Sequence, residues 1–583
     1  MPKIWSSTRG AEILRGFRCA LVLFVITSSL LSTGCAAPAK LVDLVVKGDS
    51  RELRTRAKDA PPSSPAKPPI LLLAFDGVDR SLLYDLLRRG EMPNLAALLG
   101  GMDGDFQHAY FSDSMLATLP SSTLAAWTTA MTGVSPAQHG ITGNELFIRQ
   151  WRKFGAPAPV SFSDSAPTLA VYTDNYLSTL TNAQTVYDQM RVKDPNVLCW
   201  VAMHQVFSGA DRLIVTKPSI MSDAFEEAFE RIAKLGDPRP TRGVFEKVDK
   251  SVVAAVIDEL GKGPVPDVLT VYLSGTDLYA HIAAEGPDEA RRAYLRQVVD
   301  PAMARLTERL RARDALANRY VVVTSDHGHT EVRYDDAHAL AMDDQDDPPA
   351  IVRKAGFRLR PFKLDVSAKD DFSAVLAYGG AMAYVYVADR STCAKKDDVC
   401  DWSKPPRYEE DVLPMADAFF TNNEDGSLVP AMKGTLDMIL TRRPRPYAED
   451  DLPFEVYVGN GKTMPVTDYL KQVPHPTYVD FDERLRDLAV GPQGERAGDV
   501  LLIAHNGDRS SPDQRYYFAA KYRSWHGSPS RQDSEIPFIV ANPRRSKESL
   551  RSEIEKILGP DPRQQKVTSV LLELRFGAGT SMP

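Results

Sequence analysis

Residues 118–144, TLPSSTLAAWTTAMTGVSPAQHGITGN, decide the fold of this 583-residue chain. After a cluster of small hydroxyl residues, apolar and small side chains recur at intervals of three and four, which predicts a helix that ends near Met131. The spacing is carried by Leu124, Trp127, Thr128 and Met131. Gly133 and Pro136 end the helix, and His139-Gly140 predicts a turn after it.

Thr123 stands at the start of this predicted helix. The free backbone N–H groups at a helix start point towards an anion, so a hydroxyl there has two interpretations. It caps the helix, as Ser and Thr commonly do, or it is a nucleophile directed at a phosphate. Residues elsewhere in the chain bear on this choice.

Short apolar runs alternate with long helical patterns around this segment. Ile70–Phe75 is a continuous apolar run, typical of a strand buried on both faces of a parallel sheet. Further apolar runs lie at 197–202, 268–273 and 320–324, and helical patterns lie at 223–235, 245–260 and 288–315. This alternation predicts an α/β fold with a mostly parallel sheet and helices on both faces.

The pattern changes after residue 330. Residues 331–497 hold acidic runs, many prolines and isolated strand-like pieces, which predict an inserted α+β cap region. We therefore expect the core in two parts, 70–330 and 498–583, the second with a strand at 499–504 and a C-terminal helix. A Pro-rich linker at 36–69 is predicted to precede the core.

The first 35 residues are typical of an export signal. Basic residues precede an apolar run at 20–31, which is too short to cross a bilayer as a mature helix but suits the apolar part of a secretory signal. Leu31-Ser32-Thr33-Gly34-Cys35 then resembles a bacterial lipobox, whose Cys35 is lipidated after cleavage. We expect a periplasmic protein or a lipoprotein anchored in the outer membrane.

Net charge and cysteine content indicate which partners and which compartment fit the chain. The formal net charge is −7, so the chain lacks the excess of basic residues with which proteins bind nucleic acids. Cys393 and Cys400 lie in one polar loop and form either a disulfide, which fits an oxidising compartment, or a pair of free thiols. Cys199 lies in an apolar run and is expected to be buried.

Carboxylates and histidines follow the predicted strands, where ligands gather at the carboxyl edge of a parallel sheet. In chain order they are Asp76, Asp277, His281, Asp326, His327 and His526. Each alone is open to a structural interpretation, as a helix cap, a surface pair or a turn histidine. Their joint appearance favours a metal centre. His329 is expected to be a loop residue, and His204 either a core residue or a contact behind the site.

Together these motifs resemble the type I phosphodiesterase/nucleotide pyrophosphatase family of the alkaline phosphatase superfamily. The resemblance in residues 118–144 rests on the order Thr123, Thr132-Gly133, Pro136, His139-Gly140-Ile141 and Asn144. In the rest of the chain it rests on Asp76-Gly77, Asp277 with His281, Asp326-His327-Gly328, and His526-Gly527. The chain departs from the family directly after Thr123, where it reads Leu124-Ala125-Ala126-Trp127 instead of Phe-Pro-Asn-His.

The resemblance implies an alkaline-phosphatase-like core that holds two zinc ions. The implied ligands are Asp277, His281 and His526 for one ion, and Asp76, Thr123, Asp326 and His327 for the other. It further implies that Thr123 is a nucleophile that forms a covalent phosphothreonine, and that Asn144 donates a hydrogen bond to a phosphoryl oxygen. Such a site hydrolyses phosphodiester or pyrophosphate bonds of small molecules.

A charge count favours a phosphodiester as the substrate. Two divalent ions nearly balance three carboxylates and a Thr123 alkoxide, which suits the single negative charge of a diester. A monoester dianion would benefit from additional Lys or Arg. The stretch where similar monoesterases carry them, residues 202–207, has neither. The alternatives are a phosphomonoesterase or phosphonate hydrolase on the same scaffold and, outside the enzymes, a non-catalytic envelope binding lipoprotein.

Overall fold

A computed structural model describes residues 40, 43, 46–54, 67–101, 105–161, 166–217, 220, 242–340, 345–395, 398–444, 451–577 and 579. The predicted export signal with Cys35, most of the predicted linker and the predicted helix at 223–235 lie outside these residues. Among the described helices, none combines the length and the apolar character needed to cross a bilayer.

In its first part the chain alternates strands with helices, whereas several strands of the insertion follow one another directly. They are β1 (Ser50–Glu52), β2 (Ile70–Phe75), β3 (Ala109–Phe111), β4 (Leu146–Ile148), β5 (Lys153–Gly155), β6 (Cys199–Ala202), β7 (Arg212–Ile214), β8 (Val268–Leu273), β9 (Tyr320–Ser325), β10 (Thr330–Glu331), β11 (Ala374–Tyr378), β12 (Met382–Val387), β13 (Leu436–Arg442), β14 (Phe454–Gly459), β15 (Lys462–Pro465), β16 (Val500–Ala504), β17 (Ser524–Trp525) and β18 (Phe538–Ala541).

The helices of the first part of the chain belong to the core, and they are α1 (Arg80–Arg88), α2 (Pro93–Leu98), α3 (Thr123–Thr132), α4 (Pro136–His139), α5 (Ala166–Asp174), α6 (Val186–Lys193), α7 (Gly243–Lys262), α8 (Gly275–Ala280), α9 (Pro287–Tyr294) and α10 (Asp300–Ala312). Later in the chain follow α11 (Pro348–Lys354), α12 (Leu413–Asp425), α13 (Val466–Gln472), α14 (Phe481–Ala489), α15 (Arg531–Ser534), α16 (Lys547–Leu558) and α17 (Lys566–Phe576).

The core is a sheet with the strand order β1-β7-β6-β8-β2-β9-β18-β3. Strands β7, β6, β8, β2 and β9 run parallel, and β1 and β18 run antiparallel to their neighbours. Every residue of β2, β8 and β9 is buried, because one set of packed helices (α2, α7, α10) and another (α3, α6, α17) cover the two faces. The predicted α/β fold is confirmed.

The register of the central strands brings polar residues together at one edge. Phe75, the last residue of β2, lies opposite Leu273 of β8 and Ser325 of β9. The chain therefore leaves all three strands at the same level of the sheet. Asp76 and Asp326 follow directly, and α8 begins two residues after β8.

The insertion forms a second, antiparallel sheet with the order β11-β12-β16-β13-β14-β15. Alternate residues of β12 enter two different cores, with Met382, Tyr384 and Tyr386 on one face and Ala383, Val385 and Val387 on the other. Strand β16 pairs with β12 and β13 in this sheet, although a return to the core at residue 498 was expected. A short apolar run predicts a strand but does not indicate which sheet it joins.

A two-stranded ladder, which we call the stem, links the insertion to the core. It consists of β10 and β17, and its register pairs Thr330 with Trp525 and Glu331 with Ser524. The insertion leaves the core after β10 and returns before β17. The stem thus brings the segment that contains His526 back beside Asp326-His327, as the next residues in the same register are His329 and His526.

The predicted cysteine chemistry is confirmed within the insertion. Cys393 and Cys400 form a disulfide, with their Cα atoms 4.7 Å apart. Cys199 of β6 is a free and fully buried thiol.

Candidate active site

Helix α3 presents Thr123 as its first residue. The helix is buried from Leu124 to Thr132, whereas Thr123 itself is only half-buried. Ser122 occupies the N-cap position, so Thr123 is not the cap. Its Oγ1 lies 3.2 Å from Nε2 of His327. The hydroxyl is therefore accessible and lies against a histidine from the neighbouring strand end.

Asn144 is positioned by the same helix. Its Oδ1 accepts a hydrogen bond from the backbone N–H of Leu124 at 3.3 Å. Because the oxygen is engaged there, the Nδ2 group is available to donate to an oxygen of a bound phosphate beside Thr123. This placement agrees with the role expected of Asn144 in the sequence.

Two carboxylates lie at the ends of the central strands. The Oδ1 atom of Asp326 accepts hydrogen bonds from the backbone N–H groups of Gly77 (3.1 Å) and His327 (3.0 Å), and Tyr272 donates its hydroxyl to Asp76. Oδ1 of Asp76 and Oδ2 of Asp326 are buried without a hydrogen-bond partner. Burial, and then the charges of Asp326 and Asp277, raise the pKa of Asp76 well above its usual range.

Helix α8 carries Asp277 and His281 one turn apart. Oδ1 of Asp277 lies 3.4 Å from Nε2 of His281. Burial opposes ionisation of Asp277, but His281 and His329 outweigh burial and hold the pKa of Asp277 well below its usual range. The start of α8 is held by Asp249 of α7, whose carboxylate accepts the backbone N–H groups of Ser274 (3.2 Å) and Gly275 (3.1 Å).

Four histidines share one arrangement, in which Nδ1 is engaged by a protein oxygen and Nε2 faces the carboxylates. A carbonyl oxygen only accepts, and the Ser524 hydroxyl donates to the carbonyl of Ala280, so Nδ1 of each ring carries a proton and Nε2 is the nitrogen that faces the site. The Nδ1 partners are the Ser524 carbonyl for His281 (2.7 Å), the Gly328 carbonyl for His327 (2.9 Å), the Ser121 carbonyl for His526 (3.0 Å) and the Ser524 hydroxyl for His329 (3.1 Å). This is the arrangement that orients histidines towards metal ions.

The ligand atoms form three overlapping groups, each compact enough to hold one ion. They are Asp76 with Asp326 and His327, Asp277 with His327 and His526, and Asp277 with His281 and His329. The structure thus brings all six predicted carboxylates and histidines together with Thr123. His281 and His526, which were predicted to share an ion, lie in different groups that meet at Asp277.

His329 is a residue of this site that was expected to be an ordinary loop residue. Its Nε2 lies 2.8 Å from Oδ1 of Asp277, the shortest contact between a histidine nitrogen and that atom. Gly77 makes room for it, since a Cβ atom there would lie 2.7 Å from Nε2 of His329. Burial lowers the pKa of His329 to about 3, so the ring is neutral. The only signal in the sequence was its place two residues after His327.

The donor set fits metal cations. Histidine Nε2 atoms and oxygens of buried carboxylates face one another here, and two of those oxygens have no hydrogen-bond partner. Such a cluster is unfavourable on its own and favourable around positive charge. Mixed nitrogen and oxygen donors suit transition metals better than calcium or magnesium, which prefer oxygen alone.

Two histidines noted in the sequence serve the structure around the site. His139 is buried, accepts the backbone N–H of Ile141 at Nδ1 (3.1 Å) and contacts Thr129 Oγ1 through Nε2 (2.9 Å), as the predicted turn requires. His204 is buried against the rings of Trp127 and Tyr272 at centroid distances of 4.9 and 5.5 Å. It therefore supports Tyr272, which donates to Asp76, from behind.

A cavity of about 240 Å³ opens beside these residues. Asp76, Thr123, Asn144, Asp277 and His526 line one part of it, and side chains from α3, α5, α7 and the loop after β5 line the rest. The carboxylate and histidine cluster is therefore reached through a substrate-sized pocket.

Comparison with known proteins gives the family. A family model described as type I phosphodiesterase/nucleotide pyrophosphatase matches residues 70–401. No curated protein sequence matches the chain. Among solved structures, human ectonucleotide pyrophosphatase/phosphodiesterase 5 is similar with 13% identity and a TM-score of 0.49, over 88% of this chain and 96% of that chain. The murine protein matches with 13% identity and a TM-score of 0.45, over 87% and 94%.

The family model covers more than half of the chain and includes the strand ends that carry Asp76, Asp277 and Asp326. The resemblance stated from the sequence motifs is confirmed, and with it the alkaline-phosphatase-like core. The chain belongs to the type I phosphodiesterase/nucleotide pyrophosphatase family and is a phosphoric ester hydrolase.

Proposed function

We propose that this hydrolase cleaves phosphodiester or pyrophosphate bonds at a two-zinc site through a covalent phosphothreonine on Thr123. One observation carries the proposal. The half-buried hydroxyl of Thr123, at the start of a buried helix, lies 3.2 Å from a histidine of the carboxylate cluster and lines the cavity. A nucleophile needs this combination of access and charge stabilisation.

The zinc ligands are proposed as expected from the sequence, with one addition. Asp76, Thr123, Asp326 and His327 would hold one ion. Asp277, His281 and His526 would hold the other, and His329 contributes a further nitrogen beside Asp277. When bound, two such ions supply positive charge to the attacking and leaving oxygens of a displacement at phosphorus.

Thr123, Asn144 and helix α3 then have different roles in the reaction. The hydroxyl of Thr123 loses its proton to solvent and its oxygen attacks phosphorus, while the bond from phosphorus to the leaving group breaks and the leaving oxygen takes up a proton. Asn144 donates its Nδ2 proton in a hydrogen bond to a phosphoryl oxygen, and the positive end of α3 stabilises the same charge. Water then attacks the phosphothreonine, which releases the product and restores the Thr123 hydroxyl.

The charge of the pocket supports a diester over a monoester. Among its described lining residues there is no Lys or Arg. A monoester dianion would add a second negative charge without a basic side chain to receive it, whereas a diester adds one.

The experiment compares Thr123→Ala with wild type on bis(p-nitrophenyl) phosphate, with metal content measured on the same samples. We expect the variant to lose at least about 1,000-fold in kcat and to keep most of its zinc, and Thr123→Ser to recover part of the rate. Thr179→Ala, which removes an exposed hydroxyl that is not among the cavity residues, is the control. Unchanged turnover in Thr123→Ala, or wild-type protein without bound zinc, would contradict the mechanism.

The choice between ester classes has its own measurement. We expect wild type to hydrolyse the bis-aryl phosphate faster than p-nitrophenyl phosphate at equal concentration. A monoester rate a hundredfold higher than the diester rate would show a phosphomonoesterase instead.

We further propose export, with lipidation at Cys35. The proposal is supported by the basic and apolar pattern of the first 35 residues and by the Cys393–Cys400 disulfide, which is stable in oxidising compartments. Mass spectrometry of the mature N-terminus tests it: a diacylglyceryl group on an N-terminal Cys35 is expected, and an intact residue 1 contradicts it.

A further inference from the structure

We propose that one ester group of the substrate is an uncharged alkyl or acyl chain, which enters the cavity beside Thr123. This inference rests on the proposed phosphodiesterase function and names the substrate class. The cavity of about 240 Å³ is continuous with the catalytic residues. At about 30 Å³ for each water-sized group, it accommodates roughly eight such groups, those of the phosphoryl group included.

The wall of the cavity away from the carboxylates is apolar. It is built by Leu124 of α3, Val160 of the loop after β5, Val171 of α5, Phe245 and Val248 of α7, and Ile282 after α8. Five separate segments of the chain thus place apolar side chains around one space. An alkyl chain gains from such contact because its surface leaves water.

Several polar groups around the cavity form hydrogen bonds within the protein. Tyr172 donates its hydroxyl to the carbonyl of Met203 at 3.0 Å, and Tyr272 donates to Asp76. Gln205 donates its amide to the Tyr272 hydroxyl at 3.0 Å. Three buried side-chain atoms of lining residues, Oγ1 of Thr168, Oε1 of Gln205 and Nε1 of Trp525, have no hydrogen-bond partner.

This distribution of apolar and polar side chains favours a hydrocarbon chain over a nucleoside as the group that enters the cavity. A nucleobase carries donors and acceptors that lose water on entering the cavity and find few partners on this wall, which costs binding free energy. A hydrocarbon chain has no such groups. Each methylene that moves from water into the cavity strengthens binding about fourfold.

A matched set of substrates tests the inference on the wild-type protein. The p-nitrophenyl diesters of methyl, butyl, octyl and thymidine 5′-phosphate share one leaving group and one charge, and are used below micelle-forming concentrations. We expect kcat/KM of the octyl ester to exceed that of the methyl ester at least tenfold and to exceed that of the thymidine ester. A thymidine ester faster than the octyl ester, or equal methyl and octyl rates, overturns the inference. No hydrolysis of any member would instead overturn the proposed function.

A cavity-filling variant provides a second readout. Val248→Phe adds bulk to the apolar wall, and Val192→Phe adds the same bulk at an exposed position on α6. We expect Val248→Phe to lower the octyl-to-methyl ratio at least threefold and to move the best chain to a shorter length. Val192→Phe should keep the wild-type ratio. A ratio that is unchanged in folded Val248→Phe overturns the inference, and the wild-type substrate series decides it alone if that variant does not fold.

Discussion

Residues at the active site are positioned by hydrogen bonds that leave one atom free. The four histidines give Nδ1 to protein oxygens and turn Nε2 inwards, and Asn144 gives Oδ1 to Leu124 and keeps Nδ2. Because each engaged atom fixes the ring or amide plane, the free atom has little freedom to turn away. The site is therefore prepared for its ions and substrate before they bind.

His329 gives the first prediction at this scale. Its Nε2 lies 2.8 Å from Asp277, so we expect His329→Leu to weaken metal binding about tenfold to a hundredfold, as loss of a neighbouring metal partner does elsewhere. Zinc affinity is measured by competition with a chromogenic chelator. His108→Gln, which changes an exposed histidine, is the control. Wild-type affinity in His329→Leu would show that His329 does not act on the metal.

Gly77 gives the second prediction at the scale of the residue. A Cβ at Gly77 would lie 2.7 Å from Nε2 of His329 and 2.9 Å from Cβ of Asp277, at φ +67°. Gly90 has φ +68° with nothing within 4 Å, so Gly90→Ala carries the same backbone strain without the contact. We expect both variants to lose about 1 kcal/mol of stability from strain, and Gly77→Ala alone to lose zinc affinity and activity. Equal zinc affinity in the two variants would contradict this.

The sequence predicts which residues are the proposed metal ligands better than it predicts which of them share one ion. Asp76 and Asp326 follow buried apolar runs, and their place at one edge follows from how parallel strands align. The role of His329 has no such signal, since it depends on the register of the stem. That register is set by the pairing of Thr330 with Trp525, which no local pattern near His329 reveals.

Among the elements, α8 shows how a short helix is held in place. Asp249 of α7 accepts two backbone N–H groups at its start and the hydroxyl of Tyr294 at 2.9 Å. A carboxylate at a helix N-terminus satisfies N–H groups that lack partners within the helix. Through this contact α7 fixes the orientation of Asp277 and His281.

Asp249 also predicts a pH effect on stability. Burial raises the pKa of Asp249 to about 7, from about 3.9 in the unfolded chain. Between these values the folded state keeps a proton that the unfolded state releases, so stability falls as pH rises, by about 1.4 kcal/mol per pH unit. We expect Asp249→Asn to remove this slope in denaturant unfolding between pH 4.5 and 6.5, and Asp258→Asn, on the exposed side of α7, to retain it. An unchanged slope in Asp249→Asn would contradict the assignment.

Element type was more predictable than sheet membership. The helix of residues 118–144 and the core strands β2, β8 and β9 were expected from periodicity and apolar runs, and they are present. Strand β16 was expected as well, but in the core rather than in the second sheet. Its partners, β12 and β13, are defined by long-range pairing that its own five residues do not encode.

At the scale of the whole molecule, the insertion contacts the core at the loop that precedes Thr123. Arg484 of α14, in the insertion, donates to the carbonyl of Thr118 at 3.0 Å and to the hydroxyl of Ser121 at 2.9 Å. His526 contacts the carbonyl of Ser121 at 3.0 Å. The loop that precedes Thr123 is thus held by the insertion on one side and by a proposed metal ligand on the other.

The prediction at the scale of the whole molecule concerns the effect of metal removal on stability. Without cations, burial and then the charges of Asp326 and Asp277 disfavour the ionised carboxylate of Asp76 and raise its pKa. We expect chelation to lower the melting temperature by several degrees and zinc to restore it, because ligand at about 1,000 times its Kd adds about 4 kcal/mol. Calcium, which prefers oxygen donors, should restore less. A melting temperature indifferent to chelation of a fully stripped protein would contradict a metal-stabilised core.

The stem has a consequence for the order in which the protein becomes active during synthesis. The ribosome completes Asp76, Thr123 and Asp326 early, but His526 emerges only after the entire insertion and the return strand β17 have been made. A nascent or prematurely ended chain therefore carries the proposed nucleophile without the last of the proposed metal ligands. On the proposed mechanism, hydrolysis therefore begins only when translation is nearly complete, so that an unfinished chain does not act on phosphodiesters.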